Sequence, residues 1–476
     1  MTLTPATTLL SRASLLALIA CLAACADSEG DGGEATSNGA TGGTTAETTA
    51  SNDVETTPNA LQSPEYCGQC HTAHYDDWEG SMHAYATQDP VFQAMLVKGI
   101  LETEGKLDQF CIQCHAPIAA KFELSPVYED DDGAWRVDFD MNNPLIGRGV
   151  VCTSCHSMSE VEATVNAEFK LDPNIIHGPN GSAAAQEAHP TVKSESLTSS
   201  TMCGTCHNVV NPKGALLENT FSEWYASEFN SGDPNTDKSC QDCHMPAARG
   251  EIVEGTEADI HRHRFVGVDL ALIDDFPDKE EQLQLVTDLL RSCVRLEVNR
   301  TEDHDDSYAI RVSMTNINNG HALPSGSTAD RQVWVHITVT DDATGEVVYE
   351  SGMMDENGDL MDRITGHSTN PEGDPDLLMY SSLLFGDNDQ HVTFPWQAAR
   401  SFEILLQPGQ TGWREYLIPH DRIQGDQLTV QARVRYRTFP PFLIRELEEE
   451  GFLEPGLIGE IPIIDMAELT ETFSVR

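Results

Sequence analysis

The sequence predicts an α+β protein of more than one domain. A mostly helical, loop-rich segment over residues 61–276 is followed by an all-β, sandwich-like segment over 294–476, with a connecting helix at 277–293. Three observations predict this. A Cys-x-x-Cys-His pattern recurs five times in the first segment and nowhere in the second. Apolar and polar residues alternate with period two through much of the second segment. Between them, Leu283, Val286, Leu290 and Cys293 recur at 3-4-3 spacing, the signature of one helical face.

Charge narrows the function classes. The 476 residues carry 28 Lys+Arg against 77 Asp+Glu, a net −49, which excludes the clustered basic surface that phosphate recognition needs. The excess is spread along the chain: 34 acids against 12 bases over 61–276, and 36 against 15 over 277–476. Its ordinary reading is a heavily solvated acidic surface. Its functional consequence is attraction for cationic partners.

The elements follow in chain order. Residues 1–24 read as an export signal, because the apolar run Ala13–Ala24 is too short to cross a bilayer. Leu22-Ala-Ala-Cys25 resembles a bacterial lipoprotein box, which makes Cys25 the expected acylation site; Cys21 is a poorer candidate. Residues 25–60 are Gly, Ser, Thr, Ala and acids, a composition that buries nothing and serves as a flexible tether. A lipid anchor followed by a spacer holds a domain at a membrane without inserting it. The expected location is the periplasm, or an association with the outer membrane or cell surface.

The five motifs are Cys67-Gly-Gln-Cys70-His71, Cys111-Ile-Gln-Cys114-His115, Cys152-Thr-Ser-Cys155-His156, Cys203-Gly-Thr-Cys206-His207 and Cys240-Gln-Asp-Cys243-His244. Two cysteines three apart lie on one side of a helical turn, where both sulfurs can bond the vinyl groups of one porphyrin. The next residue then falls beneath the iron as its proximal ligand. Zinc ribbons also use Cys-x-x-Cys pairs. With 17 histidines in the chain, however, chance placement of one after all five pairs is roughly 10⁻⁷. Five covalently bound haem c groups are therefore expected. At about 40 residues per haem, the porphyrins must supply much of the apolar interior, and the haem-free chain is expected not to fold.

Twelve other histidines are available for the distal positions. His83 follows the first motif on an expected helix whose Tyr75, Trp78, Met82 and Tyr85 form an apolar stripe. His177 and His189 stand in a polar loop between the third and fourth motifs, His263 follows the fifth, and His321 lies in a turn-rich loop between strands. His74 is a weaker candidate. Met82, Met95, Met202 and Met245 are thioether alternatives, and methionine ligation would raise the potential.

Cys67–Phe92, reading CGQCHTAHYDDWEGSMHAYATQDPVF, resembles the first haem segment of the cytochrome c-552/4 domain family. So do SSTMCGTCHNVV at Ser199–Val210, CQDCHMP at Cys240–Pro246 and HRFVG at His263–Gly267. GHALPSG and RQVWVHITVTD further on resemble the β extension of such cytochromes. The resemblance covers roughly Cys67–Arg437. It implies electron transfer among stacked haems, with distal ligands at His83, His189 and His263 and a fourth at His321. The chain lacks the Cys-x-x-Cys-Lys site of pentahaem nitrite reductases, which weighs against nitrite reduction.

In the second half, Asp278 followed by Glu281 predicts a capping box at the head of the connecting helix, with Cys293 buried on its apolar face. Alternation predicts strands at 294–298, 308–314, 333–339 and 428–436, with a hairpin turn over Asp341–Gly345. Val335 and Ile337 face inward, which leaves His336 on the exposed face. Asp355, Asp359 and Asp362 lack an EF-hand pattern and read as solvated. No nucleophile–base motif stands in this half, which reads as a docking or scaffold module. The expected function is electron transfer between a membrane-side donor and an external acceptor, with redox proteins bearing cationic docking surfaces as partners. The alternative is a haem oxidoreductase that acts on a small nitrogen or sulfur compound at one open-sided haem.

Overall fold

The computed structural model describes residues 63–318 and 320–475, which belong to one compact unit. The export signal, Cys25 and the linker expected over 1–60 lie outside the described residues. No described helix is long and apolar enough to cross a membrane.

The motif-bearing region is assembled from short pieces. Its helices run from 4 to 13 residues and its strands come in two-stranded pairs. Serines start several of the helices. Ser63, Ser199 and Ser239 each accept a backbone N–H of the first turn, and Asp242 completes a capping box at Ser239. The expected single helix after the first motif is two: α1, Thr72–Glu79, and a turn at Met82–Tyr85 with Ser81 as its N-cap. The break falls at Gly80, where a Cβ would meet Nη1 of Arg264 at 2.2 Å. The longest helix of this region, α2, Pro90–Glu102, begins with Asp89 accepting the Val91 N–H. It buries Val91, Phe92, Leu96 and Ile100.

The second half opens with α3, Lys279–Cys293. Its expected capping box does not form. Asp278 sits at the N-cap with φ 56° and makes no side-chain cap; its carboxylate and that of Glu281 bond Arg264 instead, at 2.8 and 2.7 Å. The apolar face is narrower than expected, since Leu283 is exposed while Val286, Leu290 and Cys293 are buried.

Among the described residues nine strands follow: β1 Val294–Arg300, β2 Ser307–Asn316, β3 Gln332–Asp341, β4 Val347–Ser351, β5 Met379–Phe385, β6 Arg400–Ile404, β7 Thr411–Pro419, β8 Gln427–Arg437 and β9 Ile464–Ser474. All their pairings are antiparallel. One sheet runs β1-β2-β7; the other runs β6-β5-β3-β8-β9, with β4 beside the C-terminal half of β3. Inward residues of both sheets share one core: Tyr308, Ile310, Val312 and Tyr416 from the first, Val333, Val335, Ile337, Val430 and Val434 from the second. Strands β4, β5, β6, β7 and β9 lie outside the four strands expected from the sequence. The expected turn after Asp341 is present, with Gly345 at φ 72° donating its N–H to the Asp341 carbonyl. His336 is only partly exposed, since it pairs with Glu350 on β4 at 3.1 Å.

The two regions share side chains. The face of α2 packs with Phe394, Trp396 and the helix α4, Pro441–Glu449. Trp396 donates to Glu102 at 2.7 Å, and the buried Lys98 pairs with Glu102 and Glu450. Asp359 and Asp362 differ from expectation in being buried. Asp359 pairs with Arg445 at 2.5 Å, and Asp362 accepts the backbone N–H groups of Ile364 and Thr365.

Candidate haem-binding site

The test of whether the motifs suit haem lies in the two ends of each imidazole. A histidine that ligates through Nε2 needs its Nδ1 proton held by an acceptor, which fixes the tautomer and aims the ring. All five motif histidines meet this requirement. Nδ1 of His71 donates to the Ile252 carbonyl at 2.6 Å, His115 to Ala86 at 3.0 Å, His156 to His177 at 2.8 Å and His244 to Val266 at 2.6 Å. His207 donates instead to a carboxylate, Glu218 Oε1, at 3.0 Å. The described cysteines are all free thiols, so no disulfide competes for the motif sulfurs. Among the described residues no cluster of His, Cys, Asp and Glu is arranged to hold a metal ion directly.

Ring spacing then identifies facing pairs. Two imidazoles on one iron, each bonded at about 2 Å, have ring centres about 6 Å apart. His71 and His189 stand at 6.4 Å, His207 and His83 at 6.5 Å, and His244 and His321 at 6.3 Å. His263 packs edge to face on His74 at 4.8 Å, and His156 acts electrostatically on both. His74 also lies 6.2 Å from His71, but with the rings perpendicular. Among the described residues no ring contact pairs His115 or His156 with another imidazole, and the His115 ring stacks instead on Phe92 at 4.2 Å.

Of the candidate distal ligands, then, His83, His189 and His321 each face a motif histidine. His263 lies beside His156 and His74. His177 plays a different part, because its carbonyl orients His156 while its own Nε2 is buried without a partner.

Several contacts hold these side chains. The carbonyl of His83 accepts the Val150 N–H at 2.9 Å, and a Cβ at Gly149, where φ is 69°, would strike that carbonyl at 2.3 Å. Phe265 packs against the His83 ring at 4.3 Å. Burial, with the neighbouring His207 and His263, pushes the pKa of His83 down to about 3. Burial does the same to His321, to about 4. Both are thus neutral, as a ligand must be. The nearly buried Asp77 accepts from Arg262 at 2.5 and 2.7 Å and from the His263 N–H at 3.0 Å, which clamps the segment carrying that histidine. Nδ1 of His189 bonds Thr191 Oγ1 at 2.7 Å, and that of His263 donates to the His261 carbonyl at 2.8 Å.

Cysteines of different motifs also approach one another. Cys67 lies close to Cys152, Cys114 to Cys206, and Cys203 to Cys240. Cys155 acts electrostatically on Cys203. The motifs are therefore linked as first to third and second to fourth to fifth, with the third close to the fourth. The fourth is the junction.

Sequence reasoning missed Glu218 and Asp77. Glu218 stands eleven residues past its own motif, on a strand pair joining Val209–Val210 to Leu216–Glu218. That short return toward the motif was the only local signal. Asp77 gave none, because its partners are 185 residues away.

Residues 66–157, which hold the first three motifs, match the family model described as cytochrome c554 and c-prime. No curated protein matches the chain. A solved structure of a penta-heme cytochrome c552 from Thermochromatium tepidum has a similar fold, with a TM-score of 0.59 at 20% identity, over 87% of this chain and 99% of that one. The family match and the shared fold support a multihaem c-type cytochrome family.

Proposed function

We propose that this multihaem c-type cytochrome is exported and carries electrons through five covalently attached haems between a membrane-side donor and an external acceptor. The observation that carries the reading is the set of five motif histidines, each with Nδ1 satisfied and Nε2 left for iron. Haem bound there supplies reversible one-electron chemistry, its potential set by axial ligands and their hydrogen bonds. The chain's own part is to fix each imidazole, keep the facing histidines neutral by burial, and bring the five motifs close together. The penta-heme composition of the solved relative supports the count of five. The lipoprotein box at Cys25 supports export and anchoring, and the charge of −49 supports cationic docking partners. Purified holoprotein should give five haems per chain by pyridine haemochrome assay and reduce in several one-electron steps. Fewer than five haems, or haem released by acid extraction, would overturn the reading.

A second reading rests on His115, whose ring stacks on Phe92 and, among the described residues, on no other imidazole. An open side at that haem would admit a small nitrogen or sulfur compound. Cyanide or nitrite binding to one haem in five, seen as a spectral change at one-fifth of the total amplitude, would support this reading. No binding would leave electron transfer alone.

A further inference from the structure

Four of the five motif histidines donate Nδ1–H to neutral backbone carbonyls; His207 donates to the Glu218 carboxylate. This acid is built in. Its side chain is 15% exposed, and among the described residues its one ion-pair partner is His207. Oε1 also accepts Thr220 Oγ1 at 3.2 Å, and Thr220 is fixed in turn by Ser325 at 2.8 Å and by the Gly326 N–H at 3.1 Å. A carboxylate hydrogen-bonded to the far nitrogen makes an imidazole a stronger donor to its metal than a carbonyl dipole does. A stronger donor favours ferric over ferrous iron. The site so treated is the junction motif, whose cysteines lie close to those of the second and fifth motifs.

We infer that Glu218 is a positioning residue that gives the haem at Cys203 and Cys206 the lowest potential of the five. Electrons therefore fill the sites on either side of the junction before the junction itself. The inference rests on the reading that every motif holds a haem.

The test uses the full holoprotein with E218Q, which keeps the shape but removes the charge, and E218D, which restores the charge. Haems are counted first; fewer than five in the wild type defeats the five-haem reading, whatever Glu218 does. With five present, potentiometric titration followed by EPR should show the lowest midpoint rising in E218Q. The expected change is about tenfold in the ferrous-to-ferric ratio at fixed potential, or about 59 mV for one electron. The other four midpoints should hold, and E218D should lie near the wild type. An unmoved lowest midpoint, or five midpoints shifting together, overturns the inference. The wild type alone gives a second measurement should E218Q fail to fold: one low-spin signal should show the narrower g-spread of an imidazolate-like ligand. Its absence also overturns the inference.

Discussion

The motif region and the β region solve the same problem, forming an interior, by different means. The β region does so with side chains. Two sheets and α3 enclose a continuous core of Val, Ile, Leu and Tyr, much of it fully buried. The motif region has small clusters, such as Trp78, Ala84, Ile118 and Val151, and its one larger core is completed by residues of the other half. Its helices are too short to be stable alone. A chain can thus be short of core where a large apolar cofactor is covalently supplied, provided a self-sufficient region stands beside it.

The sharpest way to break this comparison is to withhold the cofactor. Chain produced without haem attachment should lose the ordered motif region entirely, with limited proteolysis cutting within 63–276 while a fragment from about 279 onward, which keeps α3, survives. Equal protection of both regions would refute the distinction. The next effect is smaller. Leu290→Ala, deep in the β-side core, should cost about 3 kcal/mol in denaturant unfolding. The exposed Leu283→Ala on the same helix should stay within about 0.5 kcal/mol.

On the motif side, Asp77→Ala should cost about 2 kcal/mol, below the usual figure for a buried pair because Arg262 is half-exposed. It should also perturb the EPR signal of the haem served by His263, which Leu290→Ala should not.

Acid sensitivity separates the regions further. The backbone N–H groups of Gln424 and Gly425 hold the Asp341 carboxyl below the usual carboxylate range. Its stabilising contribution is present above the unfolded-state pKa and is lost as pH falls through the lower folded value. Asp341→Asn should flatten the acid limb of β-region unfolding and leave haem spectra unchanged. The smallest effect concerns the surface: electron exchange with a cationic acceptor should slow as salt rises, and with an anionic one should quicken. Like responses would remove electrostatic docking from the proposal.

What the sequence made legible was what is local. Cys-x-x-Cys-His is a covalent pattern within one turn, and the alternation of Val333, Val335, Ile337 and Val339 names its own inner face. What stayed hidden depended on remote partners. The guanidinium of Arg264 stands against Gly80, where the helix after the first motif breaks, and it binds the Asp278 carboxylate expected to cap α3. The facing histidines were candidates by type, but nothing in spacing could match His321 to His244 or His83 to His207. Remote contacts of this kind, together with the motifs, decide how each iron would be held.

The most direct measurement is low-temperature EPR of the oxidised holoprotein with its haem count known. Five haems are expected, at least three of them low-spin with two imidazoles each, and the one at His115 spectroscopically apart. Five equivalent low-spin signals would contradict the pairing drawn from the imidazole rings, and fewer than five haems would contradict the reading of the motifs.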